Sequence, residues 1–106
     1  MRKNELFDFS QIQNPEEFYR KFKEKLALPD FFGANLDALY DALTGFLEMP
    51  LSIEFVNMNL LQLDEFEEII EVMESVQEEL SDFEFSYFLE IYDDENSDYD
   101  WDNEIE

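Results

Sequence analysis

Residues 35–55, "NLDALYDALTGFLEMPLSIEF", decide the fold of this 106-residue chain. Apolar residues recur at positions 36, 39, 40, 43 and 47, and this helical spacing predicts an amphipathic helix with that face buried. The stretch "PLSIEF" then alternates apolar and polar residues, which predicts a strand. A helix that leads directly into a strand is typical of α/β proteins.

Two glycines bracket this helix and are the only glycines in the chain. Asn35 is the candidate N-cap, since its side chain can accept a hydrogen bond from the first helical turn. Gly45 is predicted to take the left-handed conformation that follows a helix end. Asp37, Asp41 and Thr44 are spaced i, i+4 and i+7, so they share one face, which we expect to be exposed.

The flanking sequence completes the α/β pattern. "ELFDF" at 5–9 predicts a strand, and "NPEEFYRKFKEKLAL" at 14–28 predicts a helix. Residues 60–82 predict a third helix, with Asp64 and Glu67 as an acidic capping pair. Helices between successive strands favour parallel pairing. The sequence therefore predicts a small three-stranded parallel sheet with helices packed against it.

The chain divides into a domain and a tail. "FEFSYFLEI" at 83–91 predicts the last strand, so residues 1–91 are predicted to form one domain. Residues 92–106 carry eight acids and no base, which predicts a flexible acidic C-terminal tail. The tail contains a D-x-D-x-D run at 98–102, but it lacks the glycine and the final glutamate of a calcium loop. Whether the tail's aromatic residues pack back on the domain stays open.

The charge is both large and segregated. The net charge is −23, all six basic residues lie within the first 25 positions, and 24 acids follow with no base among them. Such a surface repels nucleic acid and anionic membranes, because binding to phosphate needs cations. It attracts basic proteins, of which nucleases are the obvious class. An acidic surface that serves only solubility or high salt is the alternative.

The composition excludes several kinds of chemistry. The chain has no cysteine and no histidine, so thiol and imidazole catalysis, disulfides and the usual zinc ligands are absent. Two carboxylates on an exposed helix have no apolar pocket that would raise one pKa, so we expect no enzyme, no cofactor and no metal. No signal peptide or membrane span is predicted, which favours a soluble cytoplasmic protein.

Residues 26–55, "LALPDFFGANLDALYDALTGFLEMPLSIEF", resemble the signature region of the barstar family. That family comprises intracellular inhibitors of secreted barnase-type ribonucleases. The resemblance rests on "LALP", the aromatic pair before Gly33, "NLDAL", "DALTG" and Pro50 at the start of a strand. It implies that the helix and the preceding loop plug a nuclease active site, with carboxylates in place of RNA phosphates.

The resemblance also implies the contact residues. Asp41 would be the main phosphate mimic and Asp37 the second charge. The full set implied to bind the partner is Phe31, Gly33, Asn35, Asp37, Ala38, Asp41, Thr44, Gly45, Phe46 and, in the third helix, Glu74.

This sequence departs from the family at several of these positions. Phe31 replaces a tyrosine, Tyr40 and Phe46 replace tryptophans, and a contact glutamate aligns near Ser75, with Glu74 adjacent. The expected partner is therefore a basic nuclease, either a barnase-type ribonuclease or a polymorphic toxin nuclease domain. We expect a monomer that acts as an immunity protein in a 1:1 complex. The alternative is an acidic nucleic-acid mimic or adaptor that binds other basic proteins through bulk charge and the tail.

Overall fold

A computed structural model describes residues 3–29 and 32–90. Within these residues the strands are β1 (Lys3–Asp8), β2 (Leu51–Met58) and β3 (Phe83–Leu89). The α-helices there are α1 (Pro15–Lys25), α2 (Leu36–Asp41), α3 (Leu60–Glu65) and α4 (Glu67–Glu79). A short 3₁₀ turn, Phe9–Gln11, follows β1, and a π-helical turn, Ala42–Phe46, continues α2. None of the helices in this part of the chain is long and apolar enough to cross a membrane.

The strands form one parallel sheet in the order β1-β2-β3, so the predicted α/β fold is confirmed. Phe7 of β1 lies beside Phe55 of β2, which in turn lies beside Tyr87 of β3. Because the strands are parallel, each connection between them must cross the sheet, and helices make both crossings. The carboxyl ends of all three strands consequently lie at one edge of the sheet.

Phenylalanine rings build the core between the sheet and the helices. Phe7, Phe18 and Phe55 are inaccessible to solvent. The ring centroid of Phe18 lies 5.3 Å from that of Phe7 and 5.4 Å from that of Phe55. Phe9 extends the cluster, at 4.7 Å from Phe55 and 5.0 Å from Phe66. Tilted and edge-to-face rings at such distances contribute more than the buried area alone.

The predicted third helix is two helices. The sequence predicts a single helix over 60–82, but α3 ends at Glu65 and α4 begins at Glu67. Phe66, between them, has φ −100° and ψ 15° and a fully buried ring. The burial of this ring in the phenylalanine core accompanies the break, and a periodicity count along the chain cannot detect it.

The predicted capping pair of Asp64 and Glu67 is wrong. The helix start is instead a capping box five residues earlier, at Asn59. The Oδ1 atom of Asn59 accepts a hydrogen bond from the Gln62 N–H at 2.8 Å, and Oε1 of Gln62 accepts one from the Asn59 N–H at 3.0 Å. Reciprocal capping by two neutral side chains fixes the start of α3.

Gln62 is also the buried polar residue that ties α3 to the turn after β1. Its Nε2 atom donates hydrogen bonds to the carbonyl oxygens of Phe9, at 2.8 Å, and Ile12, at 2.7 Å. Buried carbonyls need such donors, because an unpaired buried polar group is costly.

We expect Gln62→Met to lower the free energy of unfolding by about 2 to 4 kcal/mol, because two buried carbonyls lose their donor while the side-chain volume is kept. Urea denaturation followed by circular dichroism measures this loss. Gln13→Met is the control, since Gln13 is exposed. Equal stability of the two variants would contradict the assigned role of Gln62.

Candidate functional site

The helix α2 is held firmly at its start and along its inner face. Oδ1 of Asn35 accepts a hydrogen bond from the Ala38 N–H at 2.8 Å, so the predicted N-cap is confirmed. Leu39 is fully buried, as is Leu43 in the π-helical turn, and α2 packs against α4. This anchoring orients the opposite face of α2 toward solvent.

The helix continues through Gly45 rather than ending before it. The π-helical turn closes with a hydrogen bond from the Leu47 N–H to the Ala42 carbonyl at 2.8 Å. Gly45 does not have a positive φ, so the predicted left-handed conformation is wrong. A Cβ atom at Gly45 would meet nothing within 4 Å. The space beside this backbone is therefore open, and π-helical turns often occur at functional sites.

Asp37 and Asp41 are both exposed, as predicted. Neither forms an ion pair with any residue in 3–29 or 32–90. Asp37 lies in the first turn, where the helix dipole favours an anion, whereas Asp41 lies in the middle of the continuous helix 36–46, where the dipole gives an anion no such gain. Like charges one turn apart also cost a helix a few tenths of a kcal/mol. The stability of α2 therefore does not explain why an aspartate occupies position 41.

A shallow depression of about 250 Å³ lies beside Asp41. It is lined by Leu28, Pro29, Phe32, Gly33, Ala38, Asp41, Ala42 and Phe46. The structure therefore brings together four residues of the predicted contact set: Gly33, Ala38, Asp41 and Phe46. Phe46 is 55% exposed at the rim. Asp41 is the one charged side chain among these lining residues, so a partner that covers the depression would also remove water from its carboxylate.

Two other predicted contact residues, Asn35 and Thr44, support this face together with Gly33. Gly33 lies against the cap, where an added Cβ atom would come within 3.0 Å of Asn35 Nδ2. The half-buried Thr44 donates a hydrogen bond from Oγ1 to the Tyr40 carbonyl at 2.8 Å. Gly33 and Asn35 thus set the start of α2, and Thr44 satisfies a carbonyl where the helix widens.

Two predicted contact residues remain to be accounted for. Phe31 falls outside the residues that the structure describes. Glu74 lies on α4 and lines a second depression with Glu71 and Tyr87, and this depression shares no lining residue with the one beside Asp41. Glu74 and Asp41 therefore line different depressions, and the place of Glu74 in the contact set stays a prediction.

A contact between Tyr40 and Glu79 was not predicted. The spacing predicts Tyr40 on the buried face, yet its ring is exposed and its hydroxyl donates a hydrogen bond to Glu79 Oε1 at 2.7 Å. This bond raises the pKa of Tyr40, with burial and then the charges of Glu79 and Asp41 adding to it. It joins α2 to α4 next to Asp41. The partners are 39 residues apart, so no local pattern marks the pair.

The exposed face of α2 carries negative charge beside apolar surface. Within residues 3–29 and 32–90, no group of three or more acids is arranged to hold a metal ion. What the face presents is two uncompensated carboxylates, an apolar depression and an exposed aromatic ring on a capped helix. These features define a small parallel α/β protein in which a capped helix presents an exposed acidic face.

Comparison with known proteins gives the family. The chain matches the family model described as "Barstar (barnase inhibitor)" over residues 3–91. It is 36% identical over 88 residues to "Putative ribonuclease inhibitor YrdF" of Bacillus subtilis (strain 168), an alignment that spans 80% of this chain and 96% of that protein. The chain belongs to the barstar family, as its signature region predicted.

We expect Tyr40→Phe to change how stability depends on alkaline pH. The raised pKa means that the folded protein holds the phenolic proton more tightly than the unfolded chain does. This stabilisation is complete below the ordinary tyrosine pKa of 10.0 and is lost as pH rises through the higher folded value. Urea denaturation at a series of pH values should therefore show a steeper alkaline loss in the wild type than in Tyr40→Phe.

Tyr87→Phe is the matched control for this measurement. It removes an exposed hydroxyl that makes no hydrogen bond to the rest of the described chain. The same alkaline slope in the wild type and in Tyr40→Phe would contradict a structural role for the bond to Glu79.

Proposed function

We propose that this protein inhibits a ribonuclease by inserting α2 and its flanking loop into the enzyme's active site. The observation that carries the proposal is the exposed, unpaired Asp41 beside an apolar depression, in a member of the barstar family. The relative from Bacillus subtilis, whose name describes a ribonuclease inhibitor, supports the same function. The proposed action is binding alone, with no catalytic step and no cofactor.

The carboxylates take the place of RNA phosphates in this mechanism. A ribonuclease that binds RNA must present cations, because phosphate contacts supply most of the affinity for nucleic acid. Asp37 and Asp41 stand one helical turn apart, roughly 6 Å, and can meet neighbouring cations of one site. Neither carboxylate forms an ion pair with any residue in 3–29 or 32–90, so no cation of the described chain competes for them.

Rigidity raises the affinity of such a face. The Asn35 cap, the buried leucines and the Tyr40–Glu79 bond hold α2 before the partner arrives. A preorganised charge loses little conformational entropy on binding. As the apolar depression is covered, water leaves Asp41, and its attraction to a cation strengthens in the lower dielectric.

The proposed partner is a basic nuclease in a 1:1 complex. Within that class, a barnase-type ribonuclease and a polymorphic toxin nuclease domain are distinguished by direct assay. In an RNA cleavage assay with a barnase-type ribonuclease, we expect full inhibition at one equivalent of this protein. Unchanged cleavage at a large excess would exclude that enzyme as the target and move the search to toxin nucleases.

We expect Asp41→Asn to weaken the complex by more than about 2 kcal/mol, roughly thirty-fold in Kd, because a central desolvated charge is an interaction hot spot. Glu16→Gln is the control: it removes one negative charge from an exposed position on α1. Its expected loss is below about 1 kcal/mol. Isothermal titration calorimetry with the inhibited nuclease measures both. Equal losses would instead favour an acidic mimic that acts through bulk charge.

Association with the nuclease should slow as salt is raised. The net charge of −23 attracts a basic partner over long range, and the Debye length falls from about 10 Å at 0.1 M salt to about 3 Å at 1 M. Stopped-flow mixing should show a fall in the association rate of at least about tenfold over this range. An association rate that is independent of salt would rule out electrostatic steering.

A further inference from the structure

A second, separate groove lies between α3, α4 and the carboxyl end of β3. Its floor is formed by Leu60, Leu63, Ile70 and Tyr87, and it has a volume of about 410 Å³. A neighbouring depression shares Leu60 with it and adds Met58, Leu61 and Leu89. The break at Phe66 leaves the short helix α3 beside the end of an edge strand, and the groove is the space between them.

The apolar surface around this groove is unusually exposed. Leu61 is 82% exposed and the adjacent Leu60 is 73% exposed, at the first two positions of α3. On β3, Leu89 is 41% exposed, and Tyr87 is exposed as well. Single exposed leucines are ordinary, but a contiguous apolar patch typically marks an interaction site. Exposing these apolar side chains to water does not stabilise the fold.

The charge around the groove has one sign. Asp64, Glu67, Glu71 and Glu74 line it together with the apolar floor. None of these four carboxylates forms an ion pair with any other residue in 3–29 or 32–90. Like charges this close repel one another, and a cationic ligand would relieve that repulsion. The groove thus combines exposed leucines with a rim of unpaired carboxylates.

We propose that this groove is a second docking surface, which takes a cationic polypeptide segment bearing large apolar side chains. Apolar side chains of the docked segment would pack on the leucines, and lysine or arginine beside them would pair with the carboxylate rim. The same rim repels nucleic acid and anionic lipid. It also disfavours the chain's own residues 91–106, which carry eight acids and no base, and a second copy of this groove.

This surface is distinct from the proposed nuclease-binding face. On α4, Glu79 makes the bond to Tyr40 of α2, whereas Glu71 and Glu74 line the groove beside Tyr87 of β3. The two depressions have no residue in common. The docked segment can therefore belong to a basic partner other than the nuclease, or to a part of the nuclease away from its active site. The inference does not depend on the function proposed for α2.

The test uses the full chain, labelled with ¹⁵N, and a synthetic peptide of alternating lysine and leucine. We expect the amide signals of α3, of α4 at Glu67–Glu74 and of β3 at Tyr87–Leu89 to shift on titration, and those of α2 to stay in place. A peptide of alternating lysine and serine, with the same charge, should bind at least about tenfold more weakly, because it cannot bury apolar surface. Shifts centred on α2, or equal binding of the two peptides, would overturn the proposal.

Variants of the protein distinguish peptide binding in the groove from attraction by the net charge. L60S/L61S should weaken binding of the lysine–leucine peptide about tenfold or more, since both side chains are exposed and contribute little to folding. E71Q/E74Q should weaken it about threefold or more. The control E16Q/E24Q removes two exposed carboxylates from α1 and should leave binding unchanged. Equal effects of the two charge pairs would show that only net charge matters, and would overturn the proposal.

Two other possible occupants of the groove, residues 91–106 and a second copy of the chain, are tested without added peptide. Trp101 is the only tryptophan in the chain, so its fluorescence reports on residues 91–106 alone. We expect L60S/L61S to leave its emission maximum and its quenching by acrylamide unchanged. A red shift in that variant would show that the chain's own C-terminal residues occupy the groove. A concentration-dependent shift of groove amides in the free protein would show a second copy there. Either result would overturn the proposal.

Discussion

The packing of phenylalanine rings between the sheet and the helices is the interaction on which the rest of this structure depends. Phe7, Phe18 and Phe55 join β1, α1 and β2, and Phe9 and Phe66 extend the cluster to the start of α4. A chain with a net charge of −23 repels itself, and that repulsion destabilises the compact state. A bulky, close-packed core offsets this repulsion, so the fold tolerates a surface that is acidic almost throughout.

Acidity alone does not make a specific binding face. What distinguishes α2 from the other acidic helices is the way its carboxylates are held. Asn35 caps the helix, Leu39 and Leu43 bury its inner face, and Tyr40 bonds to α4 next to Asp41. The apolar depression beside Asp41 gives a partner a surface to cover. The rigid core thus serves, through α2, to hold a small number of charges in one arrangement.

The sequence predicted the helices and strands better than their boundaries and the contacts between them. Helical spacing, strand alternation and the signature region were sufficient for the parallel sheet, the α2 cap and the family. The predicted features that were wrong depend on long-range contacts or on subtle backbone geometry. The split at Phe66 accompanies burial of a ring in a core that is assembled from distant segments.

The misses near the site have the same origin. The π-helical turn through Gly45 changes the helical period, so a glycine that suggests a helix end lies inside the helix instead. The Tyr40–Glu79 bond joins residues that no local pattern relates. Glu74 lines the other groove, and its place in the contact set stays a prediction. Predicting which way a side chain points from a helix requires the packed structure.

The most direct test of the central claim is amide hydrogen–deuterium exchange of the full chain, free and saturated with the nuclease that it inhibits. We expect slower exchange in the complex for peptides covering residues 33–46, because α2 and its loop are the proposed contact. Peptides from α3 and from residues 91–106 should exchange at unchanged rates in a complex made through α2 alone. Protection confined to the acidic C-terminal residues, with residues 33–46 unaffected, would contradict binding through α2.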